Sequence, residues 1–224
     1  MGGFLNGIWA ENPGGRYHNR YDAGRGIAAA FAEQIKAIKG KGVAAGLLRG
    51  GVEVAAAVAN DLGLPLDFRA VRKVGHPMQP EFAIGAVDIS GIAVKNPYLG
   101  VGEMPPIDQF DRMVEQALER AKEMEKELRG DRKSAIDDAD WVLVCDDGAA
   151  TGLTILAVVQ GLKSEGKRVY VAVPVSSEQA ARLISDAADD FFALQVPSYF
   201  MAVGQFYEDF SPVETSSVKK ILGV

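Results

Sequence analysis

The chain has one cysteine, Cys145, among its 224 residues, so no disulfide can form within it. Because Cys145 lies in an apolar stretch, we expect a small core residue rather than a nucleophile. An excess of positive charge is also lacking. The formal net charge is -6, which gives no global basic surface for nucleic acid and favours a small-molecule partner.

Long apolar runs are missing as well. No run approaches about 20 residues without a charge or a proline, and the opening MGGFLNGIWAENPGG lacks a basic start followed by an apolar core. We therefore expect no membrane association and a cytoplasmic location. The length and the hydrophobic fraction of 48% fit one globular domain with a substantial core.

Short apolar runs alternate with longer amphipathic ones along the chain, which predicts a mostly parallel α/β sheet covered by helices. The predicted strands are 43–48, 66–72, a run ending at 145, 168–173 and 191–194. The predicted helices are 21–38, 51–62, 107–129, a run ending near 165, and 177–188. The apolar stripe of helix 107–129 is expected to pack on its own domain rather than on a second subunit.

Glycines and prolines break the pattern between residues 73 and 106, where only 83–87 and 91–94 could form short strands. This segment is too long for a plain connection, so we expect a mobile functional loop or a small hairpin excursion. The tail VPSYFMAVGQFYEDFSPV is aromatic and irregular. We expect it to fold back as a hood over the carboxyl end of the sheet.

The stretch VLVCDDGAATGLT places two acids where a strand ends and a helix begins. Asp146 and Asp147 are suited to accept hydrogen bonds from ligand hydroxyls or to face a divalent cation. The small residues Gly148–Gly152 allow backbone N–H groups to wrap an anion, and Thr151 and Thr154 add hydroxyls. Together these features predict a ribose 5-phosphate site.

Three other interpretations of this stretch can be compared with its residues. A receiver domain would need an aspartate at the end of a later strand, which VYVAVPVSS does not offer. A Walker P-loop would need GxxxxGK[ST], which is absent. A solvated acidic turn would be a fair competitor if the stretch stood alone.

A second small-residue turn, LLRGG, follows another apolar strand. Gly50 and Gly51 let the backbone approach a ligand closely, while Arg49 and a helix N-terminus favour negative charge. Arg72 and Lys73 end the next predicted strand on the same inferred edge, where a solvated strand end is about as plausible as a ligand contact. Two anion-binding turns at one edge imply two anions on one ligand.

The chain resembles the type I phosphoribosyltransferases. VLVCDDGAATGLT resembles their acidic-pair and phosphate-loop motif, and LLRGG their pyrophosphate loop, while RYDAGRGIA, VRKVGHPMQPEFAIGAV and VGQFYEDFS resemble a bacterial and archaeal branch of the family. The resemblance implies a single domain over 1–224 with a five-stranded parallel core, a flexible loop at about 73–106 and a hood at about 197–212. It also implies Mg²⁺ and 5-phosphoribosyl pyrophosphate as ligands.

The resemblance also implies a role for each site residue. Asp146 and Asp147 would be the catalytic acids, holding the ribose hydroxyls and facing the metal. The implied 5-phosphate residues are Gly148, Ala149, Ala150, Thr151, Gly152 and Thr154. The implied pyrophosphate residues are Leu48, Arg49, Gly50, Gly51, Arg72 and Lys73, and a cis peptide is expected between Leu48 and Arg49. The implied hood residues are Tyr199, Phe200, Phe206 and Tyr207.

Ala150 stands where hypoxanthine-guanine enzymes of this family have a carboxylate, so the pattern is closer to adenine phosphoribosyltransferases. We expect transfer to a nucleobase-like acceptor with release of pyrophosphate. The alternative is a non-catalytic regulator that binds 5-phosphoribosyl pyrophosphate or a nucleotide. The acceptor, a general acid or base (Glu81, Glu208, Asp209 and His76 are weak candidates) and any homo-oligomer remain open.

Overall fold

The computed structural model describes residues 7–9 and 15–224. The strands are β1 (Gly7–Trp9), β2 (Gly42–Leu47), β3 (Leu66–Arg69), β4 (Val71–His76), β5 (Gln79–Asp88), β6 (Ala93–Lys95), β7 (Trp141–Cys145), β8 (Arg168–Val175) and β9 (Asp190–Gln195). The helices are α1 (Arg20–Lys36), α2 (Gly51–Leu62), α3 (Ile107–Arg129), α4 (Leu153–Ser164), α5 (Glu178–Ala187) and α6 (Thr215–Leu222).

A parallel six-stranded sheet in the order β1-β9-β8-β7-β2-β3 forms the core. Strand β7 shows why the sheet is buried on both faces: Val142 and Val144 pack with α4 and α5, whereas Leu143 and Cys145 pack with α1 and α2. A strand covered on both faces reads as a continuous apolar run, which is the sequence WVLVC. Cys145 is a core residue, as predicted, and burial raises the pKa of its thiol.

The predicted α/β fold with a parallel core sheet is confirmed, and the five predicted core strands are all present. Strand β1 and helix α6 lie outside the predicted pattern. Strand β1 adds a sixth parallel strand beside β9, and α6 closes the chain after the aromatic tail. Both are short, with three and eight residues, so their periodicity is too brief to stand out.

A second, antiparallel sheet in the order β4-β5-β6 occupies most of the segment predicted as a loop or hairpin excursion. Its Val74, Ile84 and Val87 pack against Phe110 and Ala117 of α3. The apolar stripe of α3 is therefore buried within its own chain, as predicted, although Ile107 at its start remains exposed.

The sequence-based position of Arg72 and Lys73 was wrong. Both lie inside β4 of the second sheet, rather than at the end of the strand 66–72. The chain leaves the parallel sheet after Arg69 and enters the antiparallel sheet at Val71. The apolar pattern continues without a break from β3 into β4. Periodicity alone therefore predicts one strand at the place where the structure has two.

A buried ion cluster joins the two sheets. Arg69, the last residue of β3, donates to both carboxylate oxygens of Asp88 in β5, at 2.9 and 2.7 Å, and also pairs with Glu165 after α4. Asp88 is completely buried. The buried carboxylate of Asp88 is stabilised by its ion pair with Arg69 and by a hydrogen bond from the amide of Ser90.

Gly161 of α4 is required by this ion cluster. A Cβ at residue 161 would lie 2.2 Å from Asp88 Oδ2, so Gly161→Ala should displace the carboxylate and lower the free energy of unfolding by about 3 kcal/mol, despite alanine's better helix propensity. Urea denaturation measures the change. Gly102→Ala is the matched control, because a Cβ there meets no atom within 4 Å, and it should change stability by less than about 0.5 kcal/mol. Equal stability of both variants would contradict the assignment.

Candidate functional site

The two acids that follow β7 lie at the carboxyl edge of the parallel sheet, as predicted. Arg20, the first residue of α1, donates from Nε to Asp147 Oδ2 at 2.7 Å, and both side chains are largely buried. Asp146 Oδ1 accepts from the amide of Asp147 at 3.0 Å. One oxygen of each carboxylate is therefore held by the protein and the other has no internal hydrogen bond within the described chain.

Burial and mutual repulsion set the charge state of this acid pair. Burial raises the pKa of Asp146 well above its usual range, and the neighbouring Asp147 raises it further. Burial also raises the pKa of Asp147, but Arg20 opposes that shift through its hydrogen bond and its charge. Arg20 thus favours the ionised form of Asp147.

The turn after the acids presents a row of backbone donors. Within the described chain, the amides of Ala150, Thr151 and Gly152 donate to no internal acceptor, and α4 begins directly after them. Gly152 adopts φ of 73°, a left-handed conformation that suits glycine. Free amides at a helix N-terminus form an anion site.

Ala149 differs from its neighbours in this turn. Its amide donates to the carbonyl of Val175 at 2.9 Å, and its own carbonyl accepts from Ser177 at 2.9 Å. These bonds fix the turn against the end of β8. The N–H of Ala149 is therefore engaged, which leaves residues 150–152 and the following helix turn as the available donors.

The loop 48–51 lies against the acid pair, so the structure brings the two predicted turns together. The Leu48–Arg49 peptide is cis, as predicted. A Cβ at Gly50 would lie 2.2 Å from Asp147 Oδ2, and one at Gly51 would lie 2.5 Å from the carbonyl oxygen of Cys145. Only glycine permits this close approach at either position.

Two other arginines, Arg49 of this loop and Arg120, act electrostatically on Arg72. Burial lowers the pKa of Arg72, and the charges of Arg49 and Arg120 lower it further. Arg120 lies on α3 and was not predicted. Lys73, on the same strand as Arg72, donates to the carbonyl and the carboxylate of Glu81 in β5.

The aromatic tail covers the carboxyl end of the sheet, as predicted. Tyr207 donates its hydroxyl to the carbonyl of Asp147 at 2.6 Å, and its ring lies 5.0 Å from that of Phe210. Phe200 and Phe206 have ring centroids 5.5 Å apart, while Tyr199 is 70% exposed. Tyr207 is therefore a structural contact to the acid pair, and Tyr199 is the most exposed of the four predicted hood residues.

Comparison with known proteins identifies the family. The model of the phosphoribosyl transferase domain matches residues 15–211, which include both turns, the acid pair and the hood. This chain belongs to the phosphoribosyl transferase domain family.

Similar proteins agree with this assignment. Two Mycobacterium tuberculosis proteins, Rv0571c and MT0597, whose names assign them provisionally as phosphoribosyl transferases, are each 36% identical over 211 residues. The match covers 92% of this chain but only 46% of each relative. The crystal structure of TT1426 from Thermus thermophilus is 37% identical, has a TM-score of 0.75, and is matched over 92% of this chain and 97% of that chain.

Two residues without a predicted role interact with the acid pair: Arg20 through its hydrogen bond to Asp147, and Glu53 electrostatically. Arg20 also donates to the carbonyl of Ser211 at 2.8 Å and stacks over the ring of Phe210, 3.9 Å from its centroid. Glu53 lies in the first turn of α2, where burial raises its pKa and the charges of Asp147 and Arg20 act on it in opposite directions. In the sequence, Arg20 is marked only by its place in the motif RYDAGRGIA. This motif resembles the family but does not indicate which residue Arg20 contacts.

The four weak candidates for a general acid or base make their contacts away from the acid pair. Glu208 bonds His18 at 3.0 Å, and Asp209 accepts from the amide and hydroxyl of Ser211. Glu81 is fully exposed, and His76 lies in the β4–β5 hairpin, where it accepts from the amide of Met78. None of these four bonds to the acid pair. Within the described chain, no helix is both long and apolar enough to cross a membrane.

Arg20→Gln should be strongly destabilising because it leaves Asp147 buried without its ion partner. We expect a loss of about 3 kcal/mol in the free energy of unfolding, and part of that loss should be recovered by adding Asp147→Asn. Chemical denaturation of the two single variants and the double variant measures this coupling.

Arg25→Gln on the same helix is the control for Arg20→Gln. Arg25 is exposed and pairs with Asp61 at 3.6 Å, so its loss should cost less than about 0.5 kcal/mol. If Arg20→Gln were as mild as Arg25→Gln, Arg20 would not be the residue that secures Asp147.

Proposed function

We propose that this protein transfers the phosphoribosyl group of 5-phosphoribosyl pyrophosphate to a nucleobase-like acceptor and releases pyrophosphate. The observation that carries the proposal is the contact between two turns: an acid pair with free carboxylate oxygens and unbonded amides lies against a glycine loop that begins with Arg49. Carboxylates suit ribose hydroxyls, while amides and arginine suit phosphates. The substrate carries all of these groups.

The ribose and its 5-phosphate would bind at the turn after β7. The free oxygens of Asp146 and Asp147 would accept hydrogen bonds from the two ribose hydroxyls. The amides of Ala150, Thr151 and Gly152 would surround the 5-phosphate, with further bonds from the hydroxyls of Thr151 and Thr154. Both threonine hydroxyls lack an internal hydrogen bond in the described chain and are therefore available.

The pyrophosphate would lie against loop 48–51. Gly50 and Gly51 let the loop backbone lie directly against the acid pair, so a pyrophosphate on this loop would be close to Asp146 and Asp147, and Arg49 supplies positive charge. Arg72 and Lys73 would add positive charge from β4. They lie in the second sheet and not at the end of β3. Charges fixed in this way stabilise the leaving group as it develops negative charge.

Magnesium fits this site as an ion that arrives with the substrate. Among the described residues, no group of three or more His, Cys, Asp or Glu side chains could hold a metal alone. Asp146 and Asp147 together provide two carboxylates, and Mg²⁺ is commonly held by one or two carboxylates plus substrate phosphates and water. When bound, it would neutralise negative charge on the pyrophosphate.

The reaction would break the bond between the anomeric carbon and the pyrophosphate oxygen and form a bond from that carbon to an acceptor nitrogen, whose proton would pass to the released pyrophosphate or to water. Positive charge grows on the ribose as the leaving group departs. The acid pair would hold the ribose in position through its hydroxyls, and the bond from Arg20 fixes Asp147 for this task. Positioning of both reactants is the main contribution expected from the chain's own residues.

The acceptor would bind beneath the hood. Val203 lies over Gly148, where a Cβ would be 2.6 Å from a Val203 methyl group, and Phe200 and Phe206 lie in the same segment. Ala150 offers no carboxylate to bond a ring proton of a 6-oxopurine. A base of the adenine type is therefore the first acceptor to test.

A turnover assay tests the proposed reaction. Pyrophosphate release should require 5-phosphoribosyl pyrophosphate, Mg²⁺ and one member of a panel of nucleobases, with adenine-like bases preferred over hypoxanthine and guanine. Binding of 5-phosphoribosyl pyrophosphate without turnover on any acceptor would contradict the transferase proposal and favour the regulatory alternative.

Thr151→Ala should weaken binding of 5-phosphoribosyl pyrophosphate by about tenfold to a hundredfold, because one hydrogen bond to a charged phosphate is lost while the amides remain. Calorimetric titration measures this affinity. Thr151→Ser retains the hydroxyl and should bind within about threefold of the wild type. If Thr151→Ala binds as tightly as the wild type, the 5-phosphate lies elsewhere.

A further inference from the structure

Gln195 ends β9 at the carboxyl edge of the parallel sheet, the edge that also carries the acid pair. Its side chain is half-buried, and its Nε2 donates to the hydroxyl of Tyr17 at 3.0 Å. Its backbone carbonyl accepts from the amide of Ser176, which follows β8, at 3.0 Å. A polar side chain at this position lies where open parallel sheets bind their ligands.

The hydrogen bonds of Tyr17 determine which way the Gln195 amide faces. The Tyr17 hydroxyl has one proton and donates it to the carbonyl of Pro174 at 3.1 Å. The hydroxyl therefore accepts from Gln195, so the atom that faces it is Nε2 rather than Oε1. Within the described chain, Gln195 Oε1 accepts no hydrogen bond. Its orientation is thus fixed while its acceptor capacity stays available to a ligand.

Two sets of contacts place this amide beside the acid-pair turn and the hood. Through the sheet, Gln195 is the register partner of Val175, whose Cγ1 would lie 3.0 Å from a Cβ at Gly148 of the turn. Through the tail, the ring of Tyr17 lies 5.5 Å from that of Tyr207, whose hydroxyl donates to the same turn. The contacts of Gln195 therefore adjoin both the turn and the hood, between which the acceptor is proposed to bind.

We propose that Gln195 selects the acceptor by accepting, at Oε1, a hydrogen bond from an amino group on the acceptor ring. The inference rests on the proposed function and deepens it. Ala150 only removes a contact to 6-oxopurines, whereas Gln195 supplies a contact to an amino group. The exocyclic amino group of adenine donates to an amide oxygen, but the exocyclic oxygen of hypoxanthine would face it as a second acceptor. A fixed acceptor of this kind rejects rings that lack the matching donor.

Steady-state kinetics of the full chain with adenine, purine and hypoxanthine test this assignment. The wild type should have its highest kcat/KM with adenine, a lower one with purine, which has no amino group, and the lowest with hypoxanthine. Gln195→Leu removes the acceptor oxygen and should reduce the preference for adenine over purine by about tenfold. Its affinity for 5-phosphoribosyl pyrophosphate should stay within about threefold of the wild type. An unchanged base preference would overturn the proposal.

Tyr17→Phe tests the orientation of the amide rather than its presence. The variant keeps the ring beside Tyr207 but removes the hydroxyl to which Nε2 donates, so the Gln195 amide can turn either way. A turned amide offers N–H to the exocyclic oxygen of hypoxanthine. The kcat/KM for hypoxanthine should therefore rise by about threefold or more relative to that for adenine. An equal fall for all three bases would show a merely structural role and refute the orienting one.

Gln160→Leu is the matched control for Gln195→Leu. Gln160 is an exposed glutamine on α4, and its side chain makes no hydrogen bond within the described chain. The preference of this variant among the three bases should stay within about twofold of the wild type. An equal loss of preference in both variants would refute the role of Gln195.

Calorimetric titration with adenosine 5′-monophosphate and inosine 5′-monophosphate separates this inference from the proposed function. The two nucleotides share the ribose 5-phosphate and differ only in the base. Without turnover on any base, tighter binding of the adenosine nucleotide that Gln195→Leu abolishes would defeat the transferase proposal and leave the role of Gln195 intact. Turnover with the same base preference in the wild type and Gln195→Leu would do the reverse. Equal binding of both nucleotides by the wild type would overturn the role of Gln195.

Discussion

The buried ion pair between Arg20 and Asp147 is the interaction on which the site depends. It joins the start of α1 to the residue that follows β7, and the same guanidinium bonds the tail at Ser211 and stacks on Phe210. Three segments far apart in sequence therefore meet at one side chain. Its charge also favours the ionised form of an acid whose burial would otherwise favour protonation.

The ion pair between Arg20 and Asp147 is surrounded by a glycine, a tyrosine and a turn with unbonded amides. Gly50 can lie against Asp147 and Arg20 because it has no Cβ, and Tyr207 donates its hydroxyl to the carbonyl of Asp147. In this turn the amide of Ala149 donates to the end of β8, whereas the amides of residues 150–152 donate to no acceptor within the described chain. The result is a preorganised set of donors and acceptors that needs little rearrangement to bind a charged ligand.

Much of this could be predicted from sequence because it is local. Each strand or helix pattern, each turn and the acid pair lies within one continuous stretch of the chain, the longest being the 23 residues of α3. Arg20 could not be assigned a role, because its contact with Asp147 spans 127 positions and no periodicity records it. Arg72 was misplaced because the chain changes sheets at Ala70 without a break in its apolar pattern.

The most direct test of the proposed site is a crystal structure of the protein with 5-phosphoribosyl pyrophosphate and Mg²⁺. We expect the 5-phosphate within hydrogen-bond distance of the amides of Ala150, Thr151 and Gly152, and the ribose hydroxyls on Asp146 and Asp147. We also expect the pyrophosphate beside Arg49. A ligand bound elsewhere, or with its pyrophosphate at residues 150–152 and its 5-phosphate at Arg49, would contradict this assignment.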